Sequence, residues 1–269
     1  MPAQVDKSNW TNFAPALVDR KQWSVVIAAA GRGSRLGFDL PKILFPVAGR
    51  TILEWLLRLL LPYCETVVAV VSPDGRTVIE SELERLAPGR YKIAVQETPT
   101  GMGDAVAIGA AQVTSAHTAV IWGDQVAILP ASVAAVLRLH QGPLNPDLTI
   151  PLVVRPMPYI HFDREKGRIE RLLQAREGDR MPETGESDTG FFCFKTQVLR
   201  ELLSKLKATP EAMGAKTSEF NLLPVVPYAS RNGYEVLTPF IMEIEETVGI
   251  NSAADAERIE PFLRERCDG

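Results

Sequence analysis

The chain has 269 residues, of which 46% are hydrophobic and 23% charged, and carries a net charge of −4. This is enough for one large α/β domain, and the charge balance excludes a global basic field directed at nucleic acid or an anionic membrane. Cys64, Cys193 and Cys267 lack C-x-x-C spacing, which argues against a disulfide framework or structural zinc site, and the polar N-terminus carries no signal pattern, so a cytoplasmic location is expected.

In chain order, residues 1–22 read as an N-terminal extension and 23–269 as a single domain. Apolar runs of strand length at Ser24–Ala30, Thr66–Ser72, Tyr91–Gln96 and Thr118–Trp122 alternate with amphipathic segments at Thr51–Leu61, Gly75–Leu86, Asp104–Val113 and Ala131–His140. That alternation predicts a parallel sheet, and near-continuous Val, Ile and Ala in the strands predicts helices on both of its faces. The most apolar helix, Ile52 to Leu61, contains Glu54 and Arg58 and falls far short of the roughly 20 residues a membrane span requires.

After Pro143 the rhythm changes. Asp147–Arg155 reads as a strand, Phe162–Ala175 as a charged hairpin turning at Glu165-Lys-Gly167, and Arg176–Ser187 as a mobile polar loop. Thr189–Lys195 and Glu235–Met242 read as strands, and Gln197–Lys207, Phe220–Tyr228 and Ser252–Arg266 as helices. The change divides the domain into 23–142, 143–251 with a small insertion, and a closing helix, 252–267.

Three strand ends carry the chemistry. The first strand runs into Ala29-Ala30-Gly31-Arg-Gly33-Ser34-Arg35-Leu-Gly37, then Pro41-Lys42. The glycines let successive N–H groups turn toward one anion, and Arg35 and Lys42 add positive charge beside it, as a nucleoside triphosphate requires. The loop lacks the Gly-Lys-Ser/Thr ending of a phosphate loop and misses the dinucleotide fingerprint by one residue. Gln96-Glu-Thr-Pro-Thr-Gly101-Met-Gly103-Asp104 follows the third strand and Trp122-Gly123-Asp124-Gln125 the fourth. In open parallel sheets ligands sit beyond these carboxyl ends.

The whole string, with Leu44-Phe-Pro46-Val-Ala-Gly49-Arg-Thr-Ile-Leu behind Lys42, resembles the signature of the sugar-phosphate nucleotidyltransferases. The likeness is greatest to the uridylyltransferase domain of UDP-N-acetylglucosamine pyrophosphorylases. It implies a Rossmann-like, glycosyltransferase-A-like α/β fold with a nucleotide-binding half, 23–142, and an acceptor-binding half, 143–251. It also implies Mg²⁺-dependent transfer of a nucleotidyl group, with a lean to UTP, from a nucleoside triphosphate to a sugar 1-phosphate. By the same resemblance Arg35 and Lys42 are catalytic. Ala29, Ala30, Gly31, Gly33, Ser34, Gln96, Gly101 and Gly103 hold the nucleotide, with Gln96 reading the base. Asp124 and Asn251 hold the metal. Two readings of Asp104 stay open, helix cap or ligand, and Asn251 before Ser252 also suits a helix cap.

In the second half Gln174, Asp188, Thr189, Gly190 and Glu219 align with the acceptor site. Asp188 stands where Asn is usual, and Gln174 stands near an expected acidic position, so the acceptor need not be N-acetylglucosamine 1-phosphate. A cytidylyltransferase for a phospho-alcohol such as phosphocholine and a catalytically silent nucleotide-sensing module are the alternatives. His117, His140 and His161 show no metal-ligand spacing; only His161 lies in the acceptor region. The partners expected are a nucleoside triphosphate and a phosphorylated small molecule, with neither nucleic acid nor membrane.

Overall fold

The computed structural model describes residues 18–268 apart from Arg32, Ser34, Arg35 and Ile241. A seven-stranded sheet forms its centre. Its strands are β1 (Trp23–Ala28), β4 (Thr66–Val71), β5 (Tyr91–Val95), β6 (His117–Trp122), β7 (Leu148–Thr149), β12 (Phe191–Lys195) and β13 (Val236–Leu237), in the order β13-β7-β12-β6-β1-β4-β5. β1 lies parallel to both β4 and β6, so the loops leaving β1 and β6 emerge side by side. β12 runs antiparallel to β6, which brings the turn before it, Asp188 to Gly190, to the same rim. The sheet is mixed and mainly parallel, as its apolar strands predict.

Alternate residues of β1 feed opposite cores, as strand geometry dictates. Val25 and Ile27 pack with α1 (Ile52–Leu60), α2 (Arg76–Leu86), α4 (Pro130–Gln141) and α7 (Ala253–Asp268). Val26 packs with α3 (Met102–Ala111), α5 (Thr196–Lys207) and α6 (Val225–Arg231). In α1 the Thr51 hydroxyl accepts from the Glu54 amide at 3.1 Å, capping a helix whose Ile52, Leu53, Leu56, Leu57 and Leu60 are all buried.

Smaller pieces flank this frame: the hairpin β2 (Pro46–Val47) with β3 (Arg50–Thr51), the hairpin β9 (Ile160–Glu165) with β10 (Arg168–Gln174), and β8 (Leu152–Pro156) paired with β11 (Thr184–Asp188). The structure corrects the sequence reading in several places. The strand expected over Asp147–Arg155 is two strands, because Pro151 has no N–H to continue a ladder. β7 stays in the main sheet and β8 leaves it for β11. Arg176–Ser187 is not wholly a loop: its end is β11, antiparallel to β8, a two-stranded pair that polar composition conceals. The helix expected from Phe220 begins at Val225. Phe220 instead donates its amide to the Thr100 carbonyl and accepts from the Gly103 amide, each at 2.8 Å. The strand expected over Glu235–Met242 is reduced to Val236–Leu237, with Pro239 following. The strand expected from Thr189 starts at Phe191, after a turn in which Gly190 adopts φ +74°.

At the opposite end of the sheet from these loops, Trp23 stacks on His117 with ring centroids 4.9 Å apart, and His140 meets His117 edge-on at 5.1 Å. His140 is fully buried and hydrogen-bonded through Nδ1 to the Thr149 hydroxyl at 2.9 Å. Burial pushes its pKa down to about 3. These histidines belong to the core. Among the described residues no helix is long and apolar enough to cross a membrane.

Candidate active site

The glycine loop leaves β1 buried and then surfaces. Ala29 is buried and donates its amide to the Val70 carbonyl at 2.8 Å, Ala30 is half-buried, and Gly31 is exposed. The Gly31 carbonyl accepts from the Lys42 amide at 3.1 Å, so the loop's start and the lysine are fixed to each other. Gly33 packs so closely that a β-carbon would lie 2.8 Å from the Phe38 carbonyl oxygen. Ser34 and Arg35, expected to hold and process the triphosphate, lie outside the described residues.

Lys42 is the centre of the geometry. Its Nζ lies 2.6 Å from Asp124 Oδ2 and 2.8 Å from Asn251 Oδ1, joining residues 82 and 209 positions away in sequence. Asp124 and Lys42 are both largely withdrawn from solvent, at 17% and 18% side-chain exposure, which shields their attraction from screening. The loop after β6 reaches this point because Gly123 lies against β1: a β-carbon there would sit 2.3 Å from the Ala28 carbonyl oxygen. Asn251 reaches it from the other side. Ser252, not Asn251, caps α7: its hydroxyl accepts from the Asp255 amide, and Asp255 Oδ2 accepts the Asn251 and Ser252 amides at 3.1 and 2.9 Å. The Asn251 side chain is thereby released toward the lysine.

Two oxygen donors from separate loops converging on one ammonium form a donor set that also suits a hard divalent cation. The chemistry of Asp124 and Asn251 is thus compatible with the metal that the resemblance implies.

Sequence reading overlooks the residue that holds these two loops together. Glu246 is 2% exposed, accepts the Leu129 amide at 2.8 Å through Oε2 and accepts the Glu243 amide at 3.0 Å through Oε1. Beside it the Ile250 amide donates to the Asp124 carbonyl at 3.1 Å. Glu246 has no motif signal beyond an acidic residue shortly before Asn251.

The second loop stands next to the first. Gln96 is buried and donates from Nε2 to the Gly101 carbonyl at 3.0 Å, so one of its amide hydrogens braces the loop. Gly101, at φ +116°, packs with its α-carbon against Phe220, where a β-carbon would come within 2.5 Å of the carbonyl oxygen; Gly103 packs beside Asn221. α3 starts at Met102, two residues earlier than the sequence suggests, and Asp104 does not cap it. Asp104 pairs with Lys207 at 2.7 Å and accepts from the Thr100 hydroxyl, contacts that lower its pKa.

The acceptor-side residues divide into two groups. Asp188, Thr189 and Gly190 join the rim: the Gly190 carbonyl accepts from the Trp122 amide at 3.0 Å, and the Gly190 amide donates to Asp188 Oδ2 at 3.0 Å. Burial raises the Asp188 pKa to about 6, against hydrogen bonds from Gly190 and the Trp122 side chain that favour the charged form. Gln174 and Glu219 enter a different network. Gln174 is buried and its amide donates to Asp179 at 2.7 Å, while Glu219 pairs with Arg176 at 2.5 Å. His161 is structural, its Nδ1 accepting from the Glu186 amide at 3.0 Å between β9 and β11.

A glycine loop, a bracing amide and a lysine–carboxylate–amide centre thus share one rim of a mainly parallel sheet. The MobA-like NTP transferase domain family matches residues 25–186, more than half of the chain. The chain belongs to that family. This NTP transferase domain is 32% identical over 246 residues to the bifunctional protein GlmU of Paraburkholderia phymatum, an alignment spanning 88% of this chain and 51% of that protein. It is 28% identical over 239 residues to the bifunctional protein GlmU of Carboxydothermus hydrogenoformans, spanning 87% and 51%. The chain spans about half the length of the curated relatives it matches. Among solved structures, the inositol-1-phosphate CTP transferase from T. maritima superposes with a TM-score of 0.67 at 17% identity, covering 92% of this chain and 97% of that one. A putative glucose-1-phosphate thymidylyltransferase from Bacillus anthracis does so at 0.68 and 15%, covering 90% and 96%. Both share the Rossmann-like fold of this domain.

Proposed function

We propose that this NTP transferase domain transfers a nucleoside monophosphate from a nucleoside triphosphate, with UTP the leading donor, to a sugar 1-phosphate, releasing pyrophosphate and forming a nucleoside-diphosphate sugar. The observation that carries this reading is the convergence of Asp124 and Asn251 on the Lys42 ammonium beside the glycine loop. An acceptor phosphate oxygen attacks the α-phosphorus, and the bond to the β-phosphate bridging oxygen breaks in the same in-line step. No protein nucleophile is needed, because a phosphate monoester dianion is already nucleophilic near neutral pH. The protein's work is orientation and charge neutralisation.

Lys42 bridges the α-phosphate and the incoming phosphate, and Arg35, on the strength of the sequence alone, holds the departing β and γ phosphates. Asp124 and Asn251 would hold Mg²⁺, which supplies Lewis-acid polarisation of a phosphoryl oxygen when bound. Among the described residues no group of three His, Cys, Asp or Glu side chains forms a closed metal cage. An ion with few protein ligands and several phosphate and water ligands is the usual habit of Mg²⁺. Gln96 meets the base with its remaining donor and acceptor, a pairing open to more than one base.

A second reading keeps the chemistry and replaces the sugar phosphate with a phospho-alcohol and UTP with CTP. Asp188 favours a changed acceptor, since a half-buried carboxylate alters what the acceptor must offer there. The test is pyrophosphate release with Mg²⁺ across four nucleoside triphosphates and a panel of sugar 1-phosphates and phospho-alcohols, with products identified by mass. Turnover of one pair names both specificities. Nucleotide binding with no release across the panel would defeat the transferase reading in favour of a sensing module.

A further inference from the structure

Around Gly190 two buried side-chain oxygens lack hydrogen-bond partners and one carboxylate lacks an adjacent cation. The Asp188 carboxylate accepts from the Gly190 amide and the Trp122 side chain, and among the described residues no cation lies within ion-pair distance of it; Arg155 acts on it only from farther away. By contrast Asp124, Asp104 and Glu219 each have a cationic partner, Lys42, Lys207 and Arg176. Gln125 packs against the same glycine: a β-carbon on Gly190 would lie 2.6 Å from Gln125 Cγ and 2.8 Å from Trp122 Cδ1. Gln125 is 8% exposed, and its Oε1 is buried without a hydrogen-bond partner. Thr189, at 1% exposure, likewise has an unpartnered Oγ1. A carbonyl and an ionised carboxylate accept only, and a threonine hydroxyl can accept as well.

We propose that the acceptor molecule carries, besides its phosphate, a free primary ammonium group that is read by Asp188 and Gln125 at Gly190. This rests on the transferase reading above and narrows its acceptor. An ammonium offers three donors and no acceptor, and it neutralises the unpaired carboxylate through charge-assisted hydrogen bonds. A hydroxyl brings no charge, an acetamide brings one N–H and no charge, and a trimethylammonium brings charge but no donor. The substrate class is therefore an amino-sugar 1-phosphate or a phosphorylated amino-alcohol with its nitrogen unblocked.

The experiment compares matched acceptors by pyrophosphate release. One set is glucosamine, glucose and N-acetylglucosamine 1-phosphates. The other is phosphoethanolamine, glycol phosphate and phosphocholine. In one set or the other, the free amine should exceed its partners in kcat/KM by at least about tenfold. Asp188→Asn keeps an oxygen for the Gly190 amide but removes the charge, and should bring the ratio to within about threefold. If Asp188→Asn does not fold, the ranking in the unaltered protein decides alone. Equal use of neutral, acetylated or trimethylated acceptors, or an amine preference that survives Asp188→Asn, would overturn the ammonium assignment and leave the transferase standing. Absence of pyrophosphate release with every acceptor would overturn the transferase reading and this inference with it.

Discussion

Lys42 owes its position to three separate fixings: its amide bonds Gly31, and its ammonium bonds both Asp124 and Asn251. A cation held so closely costs little reorganisation when charge develops on a phosphoryl group, which is why its loss should be felt in turnover more than in binding. Lys42→Ala is expected to lower kcat by at least about 100-fold with a much smaller change in nucleotide affinity; rapid-quench turnover beside equilibrium nucleotide titration checks both. Residue identity here was legible in the sequence, because lysine, aspartate and asparagine each sit in a recognisable string. Their contacts were not, since nothing local to Asn251 says that Ser252 takes over the capping and frees its side chain. Gln125 was equally hidden. It lies inside the Trp122–Gln125 motif, but the antiparallel return of β12 beside β6 is what sets Gly190 against it.

Among elements, the short helical turn at Ile244–Thr247 carries more of the site than its four residues suggest. Glu246 on it ties the loop after β6 to the segment before α7 by accepting two backbone amides. Glu246→Ala removes the acceptor from two part-buried hydrogen bonds and should cost about 1–3 kcal/mol of stability, read as a lower urea midpoint at unchanged m-value. Glu246→Gln retains one accepting oxygen and should recover part of that loss. The elements of the first half were predictable to within a residue or two, because Val- and Ile-rich strands and amphipathic helices alternate with clear glycine signals. The second half was less so. Proline at 151 divides one apolar run between two sheets, and β11 is a polar strand whose partner is β8, far enough away that its composition alone reads as loop.

For the whole molecule, acid stability should be governed in part by the buried ring cluster at the end of the sheet remote from the rim. His140 keeps its proton off until about pH 3 in the folded state, whereas in the unfolded chain it takes one up near 6.5. Its folded pKa is depressed, so the unfolded state binds more protons as pH falls below 6.5, and stability drains at about 1.4 kcal/mol per pH unit from this one group. His140→Asn, which can still meet the Thr149 hydroxyl, should flatten the pH dependence of the unfolding midpoint between pH 6.5 and 4 by close to one proton. An unchanged slope would remove His140 from the account. A last consequence concerns α7. Its first turn is braced by Asp255 beside Asn251, and near its other end Arg266 donates to the Val126 carbonyl at 2.9 Å, two residues past Asp124. The ribosome makes this helix after every strand of the sheet. A nascent chain can therefore stack its parallel strands before α7 exists, and the Asn251 contact with Lys42 closes only once that helix has docked.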